Sequence, residues 1–218
     1  MASFESLLAL ASAAYMVGAD DTPADATGNG RDATWAGTPA YTDGPNTRAF
    51  DLTAATLSAS LGQHYGNGPL TLLMRLRLLT LPGTGYAAGQ STAWASGWQV
   101  RVAGNALGAY AGGAHSTALH TVSVDTWHSI ALRIDTDTDS WMLRLDGANS
   151  PEIAFTGTPA TDLRLDIGSR NGASPLRGYY AELMVLPVAA SDEQLAAYDA
   201  GPSASSLVLP IVFEEALP

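Results

Sequence analysis

Two packed antiparallel β-sheets with one short helix near the C-terminus are the architecture the sequence predicts. Three observations carry that expectation. Apolar residues recur at every second position in at least nine short segments. The 218 residues include 22 Gly and 12 Pro, which punctuate those segments with turns. Only one stretch has the capping and spacing of a confident helix. A single sheet of so many strands would leave an apolar face uncovered, so two layers are expected. Their length suits one domain spanning residues 1–218, with 203–218 as a docking tail or edge strand.

Taken in chain order, Leu7, Leu8, Ala11 and Tyr15 fall at helical spacing within Phe4–Met16, though Ala14–Gly18 reads equally as a first strand. The opening residues carry Glu5 and no basic cluster, so a structured first segment is expected rather than a cleaved leader. A polar loop, DDTPADATGNGRDATW, follows, in which Asp25 and Asn29 can bond their own backbone. Strands are expected at Ala49–Leu52 and Thr56–Leu61, then over Leu70–Leu81. In the last, Met74, Leu76 and Leu78 take one face and Arg75 and Arg77 the other. Trp98, Val100 and Val102 oppose Gln99 and Arg101 in the next, and Thr117–Val124 is rich in β-formers.

Ile130, Leu132 and Ile134 pair naturally with Trp141, Leu143 and Leu145 across the turn Asp135–Asp139, giving a hairpin closed by Asp146-Gly147. Leu163, Leu165 and Ile167 form a further strand, as do Tyr179, Ala181, Leu183 and Val185. Ser191 and Gln194 make a capping box for the late helix, which Gly201-Pro202 stops. A terminal strand over Ser206–Phe213 would lie at an edge because of Pro210.

Composition narrows function. The formal net charge is −11, with 10 arginines, no lysine and no basic patch, which disfavours nucleic acid. No apolar run approaches the ~20 residues of a membrane span, so no membrane partner is expected. Cysteine is absent, which removes disulfide and thiol chemistry.

Three stretches carry a resemblance to a known family: DATGNGRDATWAGTPAYTDGPNTRAFDL (25–52), DTWHSIALRIDTDTDSWMLRLDG (125–147), and LRLDIGSRNGASPLRGYYAELMVLP (163–187) with SDEQLAAY after it. Their order and spacing resemble the concanavalin A-like jelly-roll group, in particular its laminin-G-like domains. The resemblance implies a jelly-roll sandwich whose Gly168–Gly178 loop reverses the chain at a rim.

That group includes glycoside hydrolases, but their Glu-x-Asp-x-x-Glu pattern is absent. Glu182, the one glutamate inside a strand, reads as a solvated face. The chain is therefore expected not to be an enzyme. The histidines His64, His115, His120 and His128 lack short metal spacing, no nucleophile elbow positions a serine, and no Gly-Lys-Ser/Thr ending grips phosphate.

Two oxygen-rich clusters are candidate calcium sites: Asp135, Asp137 and Asp139 at the hairpin tip, and Asp25 and Asn29 with Asp20 and Asp21. Each reads alternatively as a polar turn. Trp98 and Trp141 share faces with aliphatics and belong to the core, whereas Trp35 and Trp127 sit near turns. Trp94, Tyr86 and Tyr110 could present rings to a sugar, or simply cover the core. Tyr179 and Tyr180 point to opposite faces. The tail's Leu207, Leu209, Ile211 and Phe213 are candidate anchors for a protein partner or another copy, or could complete the chain's own sheet.

Two functions follow. The first is a structural or assembly module, such as a virion-surface or tail-associated protein, which would place it on a virion or cell surface. The second is a calcium-assisted, carbohydrate-binding, lectin-like module.

Overall fold

The computed structural model describes residues 2–16, 23–45, 48–60, 68–90, 97–155 and 164–201. Among them, sixteen strands form two antiparallel sheets. Sheet A runs β13 (Ala148–Asn149), β12 (Ser140–Leu145), β11 (Trp127–Asp135), β6 (Leu70–Leu78), β16 (Gly178–Leu186), β4 (Arg48–Asp51), β3 (Tyr41–Asp43). Two short strands join it off that path, β1 (Ala13–Met16) on β16 and β14 (Ile153–Ala154) on β12. Sheet B runs β10 (Ala114–Thr121), β9 (Ala106–Ala111), β8 (Trp98–Ala103), β7 (Gly85–Gln90), β15 (Arg164–Ile167), β5 (Thr56–Ser60), β2 (Thr34–Ala36). Helices α1 (Phe4–Leu10) and α2 (Asp192–Ala200) complete the described chain.

The alternation seen in the sequence lines the space between the sheets. Met74, Leu76 and Leu78 meet Ile130, Leu132, Ile134, Trp141, Leu143 and Leu145 there, facing Trp98, Val100, Val102, Leu165 and Ile167 from sheet B. The expected hairpin register holds, with Ile134 opposite Trp141, Leu132 opposite Leu143 and Ile130 opposite Leu145. Each fully buried side chain of this size contributes about 1.5–3 kcal/mol, so this slab dominates stability.

Sheet A has a second apolar layer on its outer face. Leu73, Ala131, Met142, Met184 and Leu186 project outward to meet Phe4, Leu7, Leu195 and Tyr198 of the two helices. Strands β6 and β16 are thus buried on both sides, so sheet A's outer face is largely closed. The first segment resolves as both alternatives in turn: α1, capped by Ser3 with Ser6 answering it, and then β1. Ser191 and Gln194 form the expected box at α2, and Gly201 ends it at φ 77°.

The loop between β15 and β16 carries the chain from sheet B to sheet A, as the rim reversal requires. Gly168 adopts φ 76°, and a Cβ there would lie 2.8 Å from Leu52 Cδ1. At Gly178 a Cβ would come within 2.5 Å of the Arg77 carbonyl oxygen, so β16 can approach β6 only with glycine there. The terminal strand expected over Ser206–Phe213 lies outside the described residues.

Candidate functional site

Two regions concentrate polar chemistry, one on each outer face. On sheet A, Arg75 of β6 projects outward between Glu182 of β16 and the C-terminal turn of α2. Its Nε lies 2.5 Å from a Glu182 carboxylate oxygen, its guanidinium donates to the Tyr198 carbonyl, and it lies over the Tyr198 ring. Asp199 accepts from Arg144 Nε at 2.7 Å and from the Ser129 hydroxyl. Burial pushes the Glu182 carboxyl up to about 7, against the pull of Arg75. Glu182 is therefore not the solvated residue that strand alternation suggested. Helix α2, arriving ten residues later in sequence, packs over sheet A and removes water from it.

Beside this network an open cleft of about 270 Å³ is lined by Arg75, Trp127, His128, Ser129, Asp146 and Asp199. His128 lies between Ser123 and Asp146 in the order of a nucleophile–base–acid relay, with Nδ1 2.7 Å from Asp146 and Nε2 3.2 Å from the Ser123 hydroxyl. However, Nε2 also accepts the backbone N–H of Ser123 at 3.1 Å, which occupies the lone pair a general base would use. The imidazole is a clasp holding the 122–126 loop. In this region the acids and bases answer one another, so the network ties the helix to the sheet.

Sheet B is different. Its outer face brings together two of the three aromatic residues expected at a ligand site. Tyr86 of β7 pairs in register with Arg101 of β8, and Tyr110 of β9 pairs with Gln99 of β8. All four project away from the inter-sheet core. One transverse row reads Tyr110, Gln99, Gly89, Asp166 across β9, β8, β7 and β15. At a strand spacing of about 4.8 Å that row spans roughly 14 Å, the width of two or three sugar rings.

Within the row, Asp166 is satisfied, accepting from Arg164 Nε at 2.7 Å and from the Asn171 N–H. Arg170 lies over the Tyr86 ring, 4.8 Å from its centroid, so the 168–177 loop caps that tyrosine. Gly89 is required by crowding, because a Cβ would meet the Trp98 carbonyl oxygen at 2.8 Å and Gln99 Cγ at 3.0 Å.

Gln99 stands apart. It is 1% exposed, and among the described residues neither its Nε2 nor its Oε1 has a hydrogen-bond partner. The adjacent Tyr110 hydroxyl is likewise without one, in a residue 7% exposed. A buried amide left unpaired costs about 1–3 kcal/mol per group. Trp141 Nε1 and Tyr180 Oη are also unpaired, but each is a single atom on a ring packed in the inter-sheet core. Gln99 is orphaned at both its donor and its acceptor, outside that core.

The other expected residues fall as follows. Tyr86 and Tyr110 are buried, so neither presents an open ring, and Trp94 lies outside the described residues. At the hairpin tip, Asp135 Oδ1 accepts the Asp137 N–H at 2.9 Å, and Asp139 turns the chain at φ 50°. Asp25 is buried, taking the Ala14 N–H, Thr27 N–H and Thr27 hydroxyl on Oδ1 and the Arg31 N–H on Oδ2. Asn29 donates through Nδ2 to the Ser12 carbonyl and Thr27 hydroxyl. Four donors thus engage the two Asp25 carboxylate oxygens. Among the described residues no group of three or more His, Asp or Glu side chains is placed to hold a metal ion.

Trp98 and Trp141 are in the core as expected, Trp35 packs edge-on against Tyr41 and Phe50, and Tyr179 lies half-exposed beside Arg77, opposite the buried Tyr180. Asp20, Asp21, His64 and the tail residues Leu207, Leu209, Ile211 and Phe213 lie outside the described residues. Among those described, no helix is long and apolar enough to cross a membrane.

No family model matches the chain. No curated protein matches it. Solved structures do. Domain 4 of AbnA, a GH43 extracellular arabinanase from Geobacillus stearothermophilus, in complex with arabinotriose, is similar at 15% identity and a TM-score of 0.69, covering 87% of this chain and 98% of that one. The botulinum neurotoxin serotype D binding domain is similar at 9% identity and a TM-score of 0.72, covering 90% of this chain and 52% of that one. The neurotoxin DC binding domain in complex with SialylT has 9% identity and a TM-score of 0.71, covering 89% of this chain and 52% of that one. The chain thus spans about half the length of the toxin binding domains. Such identities establish the fold, a two-sheet jelly-roll β-sandwich, and single out no family within it.

Proposed function

We propose that this chain is a non-catalytic carbohydrate-binding module. One observation carries the reading: the chain folds as the two-sheet sandwich of domains solved with saccharides bound.

The similar structures support the same choice. The arabinanase domain is in complex with arabinotriose, one toxin domain with SialylT, and cell entry of neurotoxin type C depends on two ganglioside molecules. Another is in complex with rat synaptotagmin II, so a protein ligand also occurs on this fold. These likenesses favour the carbohydrate-binding alternative over a virion-surface or tail-associated role. The docking tail that the assembly reading invokes, residues 203–218, lies outside those described. Calcium assistance is a separate question that a chelator answers.

The test is a glycan array with the full chain, run with and without EDTA. Saturable binding to one class of saccharide is the expected result, and loss of that signal with EDTA would assign calcium a part. A folded chain that binds no saccharide contradicts the proposal.

A further inference from the structure

We infer that a neutral saccharide binds on the outer face of sheet A, in the open cleft beside Trp127 and on the aromatic row that adjoins it. This rests on the carbohydrate-binding reading above, and it names the site, its platform and the class of sugar that fits.

Strand register builds the row. Trp127 of β11 pairs with Arg77 of β6, and Arg77 pairs in turn with Tyr179 of β16. Period two puts all three on the outer face, with Ser129 opposite Arg75 in the next outward row. The last turn of α2 covers that face as far as Arg75, whose guanidinium donates to the Tyr198 carbonyl. One row on, the described chain leaves Trp127, Arg77 and Tyr179 half-exposed. The two rings stand two strands apart, roughly 10 Å at the usual strand spacing, a distance that a short oligosaccharide spans.

Beside the indole the surface is concave. The cleft of about 270 Å³ is close to the lower end of small-ligand pockets, about 300 Å³. Trp127 offers it an apolar wall, and Asp146, Ser129 and Asp199 supply acceptors. Asp146 holds one donor on each oxygen, the Ser129 N–H at 2.8 Å and His128 Nδ1 at 2.7 Å. Its side chain is 47% exposed, so each oxygen keeps a lone pair for a sugar hydroxyl. The Ser129 hydroxyl donates to Asp199, and its own oxygen can accept from another.

Charge selects the sugar. Arg75, Arg77 and Arg144 are each paired, with Glu182, Asp125 and Asp199 respectively. Asp146 faces an imidazole whose Nε2 accepts the Ser123 N–H, which leaves that ring neutral. An acidic sugar therefore meets an uncompensated carboxylate where it needs a cation, whereas hydroxyls donate to it. The same composition disfavours a protein partner, because the centre of a protein interface is depleted of charge.

The experiment is isothermal titration of the full chain with arabinotriose, cellotriose, trigalacturonate and any further saccharide the array selects. The proteins are the wild type, Trp127→Ala, Trp127→Phe and Tyr179→Ala. The wild type is expected to bind a neutral saccharide and to ignore trigalacturonate. Trp127→Ala should weaken binding by about 10-fold or more and Tyr179→Ala by about 3- to 10-fold. Trp127→Phe should recover most of the affinity, because a ring is restored. Ligand should perturb the tryptophan fluorescence of the wild type and leave that of Trp127→Phe unchanged. Both half-exposed rings can be removed with little effect on the melting temperature of the free protein.

Unweakened binding by Trp127→Ala, or a preference for trigalacturonate, overturns this site and leaves the broader reading standing. Should Trp127→Ala fail to fold, Tyr179→Ala decides in the same way. A wild type that binds no saccharide here or on the array removes the parent reading, and the site falls with it.

Discussion

Replacing Arg75 with alanine is expected to destabilise the protein by about 3–5 kcal/mol at pH 8, because it strands a buried carboxylate. Arg75 does three things at once. It neutralises Glu182, donates to the last turn of α2, and packs flat on Tyr198. The loss should depend on pH in a particular direction. The folded carboxyl of Glu182 is raised, to about 7 against 4.5 for the ordinary side chain. Between those values the folded state holds more protons than the unfolded state, so stability falls as pH rises.

The advantage is full below pH 4.5 and gone above 7, and the whole span is worth at most about 3 kcal/mol. Without Arg75 the carboxyl rises further, so the Arg75→Ala deficit should shrink on going from pH 8 to pH 5. Denaturant unfolding at the two pH values measures it. An equal deficit at both would assign the loss to packing on Tyr198. The double variant Arg75→Met/Glu182→Met separates the cases again. It should recover most of the stability, because removing both charges is far less costly than removing one.

Trp98→Ala should be as damaging, at about 3–5 kcal/mol. The indole is fully buried between the sheets, and its Nε1 donates to Gln90 Oε1 at 3.2 Å. Alanine there opens a cavity at the centre of sheet B and leaves the buried Gln90 oxygen without that donor. Thermal unfolding followed by calorimetry reads the change. A loss below about 1 kcal/mol would mean that the two sheets do not meet at Trp98.

Where one strand face meets the opposite sheet and the other carries polar groups, the sequence announces the strand. That is the case for β6, β8 and β11, where arginines, Gln99 and Ser129 alternate with large apolar residues. Strands β7 and β9 leave no such trace. GYAAGQ and ALGAYA are made largely of small residues, and almost every position is buried, so nothing alternates. The three-residue strands β2 and β3 are too short to show a period.

The site was legible in the same partial way. Tyr86 and Tyr110 stood out as aromatics, and Gln99 could be placed on the outer face of its strand. That its amide goes unanswered depends on neighbours distant in sequence. Glu182 misled for a related reason, since period two says which face a residue takes and nothing about what covers that face.

The central claim is that this chain binds carbohydrate. Backbone amide shifts of the isotopically labelled full chain, followed while neutral and acidic oligosaccharides are added in turn, test this most directly. Saturable shifts clustered in one region with at least one class of saccharide are the predicted result. A folded chain whose amides move with none of them would contradict it.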